Sequence, residues 1–167
     1  AINNPSGTPP VGWWKLDEGS GTKTNDSTAN HNNCTLYNMA TSTNGAWVDG
    51  KIGKALSFDG DDDYVDCGTG ISYAAFPGMT LEAWVKRSAV GSRDYIISAG
   101  YPPYQFEIWA NNTIGVEIQI NSTYYNLVST NTFTSTDWSH LVFTHNLSSG
   151  AWYIYINGAV FASGTRT

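Results

Sequence analysis

The chain has 167 residues, 41% of them hydrophobic and 14% aromatic, with 7 Trp and 10 Tyr, which excludes a disordered segment and suffices for a substantial core. Charged residues make up only 13%, about half the usual quarter, so solubility rests on Asn, Ser, Thr and Gly, as in many extracellular β proteins. A net charge of −6 with just 8 scattered Lys and Arg argues against nucleic acid, and no apolar run approaches the ~18 residues of a membrane-spanning helix.

The polar, Pro-rich lead AINNPSGTPP reads as a linker over residues 1–11, ahead of one domain at 12–167. Strands are predicted at Trp13–Leu16 and Cys34–Tyr37. Ala55–Phe58 and Tyr64–Cys67 follow, on either side of an acidic run. Leu81, Ala83 and Val85 then alternate with Glu82, Trp84 and Lys86. Further strands are predicted at Tyr95–Ala99, Phe106–Ile108 and Tyr124–Ser129, and Val116, Ile118 and Ile120 share one face of another. Near the end, Leu141 and Phe143 oppose His140, Val142 and Thr144, while Trp152, Ile154 and Ile156 oppose Tyr153 and Tyr155. Asn157-Gly158 both tolerate positive φ, which predicts a two-residue hairpin between WYIYI and AVFAS. Short strands with no helix between them mean antiparallel sheets packed face to face, an all-β sandwich.

Asn-x-Ser/Thr acceptors stand at Asn25, Asn33, Asn111, Asn121 and Asn146, while the one at Asn4 is blocked by Pro5. With the Asn/Ser/Thr-rich surface they point to an exported, extracellular or cell-surface protein. There Cys34 and Cys67 would form one disulfide; the alternative is two free buried thiols.

Six segments in order resemble the laminin-G-like, concanavalin A-like jelly-roll family, in its bacterial and archaeal surface-protein branch. They are GWWKLDEGSGT at 12–22, NDSTANHNNCTLYN at 25–38, GKIGKALSFDGDDDYVDCG at 50–68, MTLEAWVKR at 79–87, DWSHLVFTH at 137–145 and WYIYINGAVFASG at 152–164. The resemblance implies a non-catalytic recognition module on a jelly-roll sandwich. Family members usually continue with a glycine-led strand and a segment like G-x-I-D-E-V-R-I-Y, which does not occur here. Three readings follow: a truncated or processed chain, a second chain supplying the missing strands, or β-strand addition between subunits.

Asp59, Asp61, Asp62 and Asp63 crowd four carboxylates into five positions, where calcium is the natural partner and a solvated acidic turn the plain alternative. An EF-hand is excluded, because the sixth position from Asp59 is Tyr64 and the twelfth is Gly70. By analogy with the family's rim sites, Asp17, Glu18 and Asp26 are further candidate calcium ligands. Trp14, Trp84 and Trp138 are expected in the core, whereas Trp109, Tyr101 and Tyr104 read as loop-borne, with Tyr124 and Tyr125 on the same face. Those five are the candidate carbohydrate contacts.

Enzyme motifs are missing. Nothing matches the Glu-x-Asp-x-x-Glu of related glucanases, Glu107 and Glu117 fall in separate predicted strands, and His140 and His145 point to opposite faces. The expectation is a non-catalytic module binding a glycan or a cell-surface protein. The competing expectation is a structural subunit of a surface layer, filament or virion.

Overall fold

The computed structural model describes residues 9–39, 46–71, 78–99, 104–120 and 122–166. Among them every regular element is a strand. In chain order these are β1 (Lys23–Thr24), β2 (Cys34–Tyr37), β3 (Trp47–Asp49), β4 (Lys54–Leu56), β5 (Tyr64–Asp66), β6 (Gly78–Val85) and β7 (Asp94–Ala99). β8 (Tyr104–Ile108), β9 (Thr113–Ile120), β10 (Thr123–Thr132), β11 (Ser139–Asn146), β12 (Ala151–Ile156) and β13 (Ala159–Thr165) complete the set. Contacts divide the chain into two compact units, Ala1–Ser72 and Tyr73–Thr167.

The second unit holds two antiparallel four-stranded sheets, in the orders β10-β9-β8-β7 and β13-β12-β11-β6. Period-two alternation dictates what they bury. Phe106, Ile108, Ile114, Val116 and Ile118 of one sheet form a single core with Leu141, Phe143, Trp152 and Ile154 of the other. The Phe106 and Phe143 rings meet across the layers at 6.3 Å. Sequence alternation therefore becomes a β-sandwich by burying one face of each sheet. The hairpin between β12 and β13 closes on Asn157 (φ 51°) and Gly158 (φ 83°), the two positive-φ positions its turn requires. A register shift in β10 after Val128 leaves the Ile114 N–H without a ladder partner, and the Ser129 hydroxyl accepts it at 3.0 Å.

The first unit pairs β1-β2-β5 and, separately, β3-β4. Its small core is Leu36, Met39, Ala46, Trp47 and Leu56, flanked by Leu16 and Val65. The Trp47 indole donates to the Gly21 carbonyl at 3.0 Å. Cys34 and Cys67 are joined by a disulfide with an S–S distance of 2.04 Å.

Two expectations are corrected. Trp13–Leu16 is not a strand: Trp14 makes an isolated bridge to Asp26, and Leu16 sits at φ 56°, which breaks extended backbone. Trp84 is 44% exposed rather than a core residue, because Leu81 and Val85 take the inward positions of β6 and Trp84 stacks on His140 at 5.1 Å. Trp14 and Trp138 are half-buried.

Candidate functional site

The face of the β10-β9-β8-β7 sheet turned away from the core is polar. Register places Ser98, Gln105, Glu117 and Asn126 in one cross-strand row, and Tyr95, Glu107, Gly115 and Val128 in the next. Gln119 and Tyr124 face each other in a third row. Along β8 the logic is simple: Phe106 and Ile108 point inward, so Gln105 and Glu107 must point out.

Glu107 is nevertheless fully buried, at 0% exposure. A carboxylate there needs a partner, and Arg93 supplies a bidentate one, Nε to Oε2 at 2.5 Å and Nη2 to Oε1 at 2.9 Å. Donating to the Glu107 carboxylate raises the Arg93 pKa above its already high range, keeping the guanidinium charged. That guanidinium also lies 5.0 Å from the Tyr95 ring centroid and 5.8 Å from that of Trp109. Tyr95 is 56% exposed, and the Arg93 side chain 46%. An open cationic fork between two rings thus caps a carboxylate on an amide-rich sheet face.

Arg93 and Trp109 stand on loops beside β7 and β8, and Arg87 fixes both loops. Buried itself, it donates to Asp94 Oδ2 (2.7 Å), Asn112 Oδ1 (3.0 Å), the Phe133 carbonyl (3.1 Å) and the Ser92 carbonyl (3.3 Å). Asn112 Oδ1 also accepts the Gly91 N–H at 2.9 Å. The turn holding Trp109 is closed by Asn112 N to the Trp109 carbonyl (2.7 Å) and Trp109 N to the Thr113 carbonyl (2.8 Å). Arg93 and Trp109 are consequently held on ordered backbone.

The predicted ligand residues fare unevenly. Trp109 joins the face as a half-buried ring beside Arg93. Tyr104 is not loop-borne; it opens β8, is 7% exposed and belongs to the core. Tyr124 and Tyr125 do not share a face, because neighbours on β10 alternate: Tyr124 is 51% exposed, whereas Tyr125 packs on the core. Tyr101 lies outside the described residues, as does Asn121. Sequence reading missed Arg93, Tyr95 and Arg87 as parts of the site. The available signal was Glu107 in the outward position of an apolar strand, which demands a cation.

In the first unit, Asp59, Asp62 and Asp63 each offer an oxygen within 4.8 Å of the others. Asp63 Oδ2 accepts the Asp59 N–H (2.9 Å), Asp59 Oδ1 accepts the Asp61 N–H (2.9 Å), and Asp63 Oδ1 is buried without a partner. Three hard oxygen donors and an orphaned carboxylate oxygen fit a cation such as calcium. Asp61 is outside that group, and so are the three candidates from the early loop. Asp17 is exposed, and Glu18 Oε1 accepts from Thr24 (3.0 Å) and from Asn25 N (2.7 Å). Asp26 is buried, and its two oxygens accept from Trp13 N, Thr28 N, Thr28 Oγ1 and Asn32 N at 2.8–3.0 Å. Burial pushes the Asp26 pKa up, but those hydrogen bonds outweigh it and hold the carboxyl below its ordinary value. Asp26 thus organises its loop.

The chain belongs to the concanavalin A-like lectin/glucanases superfamily, whose family model matches residues 59–167. It is similar to the 2.1 Å crystal structure of an S-layer domain-containing protein (residues 221–444) from Clostridium thermocellum ATCC 27405. The likeness has a TM-score of 0.57 and 26% identity, over 92% of this chain and 71% of that one. No curated protein matches it.

Proposed function

We propose that the chain is a non-catalytic extracellular recognition module that binds a carbohydrate on the Arg93–Tyr95–Trp109 face, directly or as the glycan of a cell-surface partner. The observation that carries this reading is the ring-flanked guanidinium bonded to Glu107 on the sheet face that also bears the Gln105, Glu117 and Asn126 row. Sugars present flat C–H faces and paired hydroxyls, so rings for stacking beside Gln105, Glu117 and Asn126 for hydrogen bonding are the matching chemistry. Absence of catalysis is supported by Glu107, the better-buried carboxylate, having both oxygens engaged by Arg93. Glycoside hydrolysis would need two carboxyl groups free to exchange protons or attack. Calcium at Asp59, Asp62 and Asp63 belongs to the same proposal, as the ion that offsets their mutual repulsion and orders the acidic loop.

A glycan array with and without calcium tests the reading. Binding to at least one glycan class, reduced about tenfold or more (~1.4 kcal/mol) by Trp109→Ala or Tyr95→Ala, is expected. Silence across the array in both conditions contradicts it. The second reading, an architectural subunit of a surface layer, is favoured by the likeness to the S-layer domain-containing protein. Ordered polymers in electron microscopy would support that alternative, and stable monomers by light scattering would count against it.

A further inference from the structure

The sequons are not equivalent in the fold. We infer that, of the four sequons within the described residues, Asn111 and Asn146, and not Asn25 or Asn33, accept an N-linked glycan in the folded chain.

Asn111 is exposed in the turn between β8 and β9, and its Oδ1 accepts both the Thr113 N–H (3.1 Å) and the Thr113 hydroxyl (2.7 Å). Asn146 is exposed at the end of β11. Its Oδ1 accepts the Ser148 N–H (3.0 Å), the Ser148 hydroxyl (2.9 Å) and the Ser149 N–H (3.0 Å). Each sequon is thus already bent into an Asx-turn, with the hydroxyl of its third residue donating to the acceptor amide. Among the described residues neither Nδ2 has a hydrogen-bond acceptor.

That arrangement suits the chemistry. An amide nitrogen becomes nucleophilic as it gives up a proton, and donors on Oδ1 stabilise the negative charge that builds there. The Nδ2 attacks the anomeric carbon of a sugar carried on a lipid pyrophosphate. One N–C bond forms, and the bond from that carbon to the phosphate oxygen breaks. The electron pair leaves with the pyrophosphate, and the Nδ2 proton passes to a base of the transferase. Donor and transferase come from outside the chain.

The other two sequons of the described residues are built into the first unit. Asn25 donates from Nδ2 to Glu18 (3.3 Å), and its N–H also binds Glu18. Asn33 Oδ1 accepts the Asp26 N–H at 3.0 Å. Its middle residue, Cys34, is disulfide-bonded to Cys67, and its third, Thr35, is paired in the sheet to both Lys23 and Asp66. Bending that segment into a turn would break the centre of a three-stranded sheet.

The test offers the folded, disulfide-intact chain to a single-subunit oligosaccharyltransferase that accepts Asn-x-Ser/Thr, with a lipid-pyrophosphate oligosaccharide as donor. Occupancy is read by peptide mapping, alongside synthetic peptides spanning the Asn25, Asn33, Asn111 and Asn146 sequons. The expected result is modification at Asn111 and Asn146 at least about tenfold above Asn25 and Asn33, with all four peptides reacting comparably. Thr113→Ser, which keeps the hydroxyl, should retain modification of Asn111. Comparable occupancy of Asn25 or Asn33 in the folded chain would overturn the inference. So would unreacted Asn111 and Asn146 when their peptides react, or the same selectivity in the free peptides.

Discussion

Arg93→Ala strands the Glu107 carboxylate, which has 0% exposure and whose two oxygens are bonded to that guanidinium at 2.5 and 2.9 Å. Breaking a buried ion pair from one side costs roughly 3–5 kcal/mol. The Arg93 side chain is 46% exposed, so water can enter the space it leaves and screen the charge, which puts the expected loss near the lower end, about 3 kcal/mol. Glu107→Gln keeps the shape and removes the charge, for a smaller loss of about 1–2 kcal/mol. Arg93→Met with Glu107→Leu leaves no stranded charge and should fall within about 1 kcal/mol of the parent. Urea unfolding of the parent, Arg93→Ala, Glu107→Leu and the Ala/Leu double variant gives the coupling, expected at about 2 kcal/mol or more. A loss below about 1 kcal/mol for Arg93→Ala, or additive single effects, would refute the claim that Arg93 neutralises a buried charge.

Other consequences are as direct. His145 is 4% exposed, and burial, with the nearby Arg166 charge, lowers its pKa. A histidine kept neutral in the fold takes up protons more readily when unfolded. Its stabilisation is full above the unfolded pKa of about 6.5 and is lost as pH falls below that value toward the folded pKa, with a slope of at most about 1.4 kcal/mol per pH unit. His145→Leu should flatten the drop in urea-derived stability between neutral pH and mild acid, and an unchanged drop would exclude this residue as its source. The Cys34–Cys67 disulfide closes a separation of 33 residues, so replacing both cysteines by Ala should cost about 3–4 kcal/mol by loop entropy. A reductant-insensitive parent in the same denaturation assay would contradict that. Calcium should raise the melting temperature of the parent and not of Asp59→Asn with Asp63→Asn, as followed by differential scanning fluorimetry with and without chelator. An equal response in both would exclude that loop.

The sandwich was legible because each sheet buries one face, so alternation such as Leu141 and Phe143 against His140 and Val142 reads directly as inside and outside. Asn157-Gly158 was legible because its turn needs positive φ at both positions. The site was far less so. Arg93 and Glu107 are 14 residues apart, and their meeting depends on the β7–β8 register, which no local pattern encodes. Tyr104 was misread because Pro102-Pro103 precede it and read as a turn signal, although its alternation with Phe106 and Ile108 already assigned it inward. Asp26 entered the ligand set by analogy with the family's rim sites, while the chain satisfies its carboxylate with its own N–H groups.

The sharpest single test is a two-dimensional nitrogen–proton NMR titration of the intact chain with the oligosaccharide that ranks first on the array. Progressive shifts of the Trp109 indole, the Arg93 side chain and the Gln105 and Asn126 amides, vanishing in Trp109→Ala, are predicted. Saturable binding whose shifts bypass all four residues would contradict the assignment of this face.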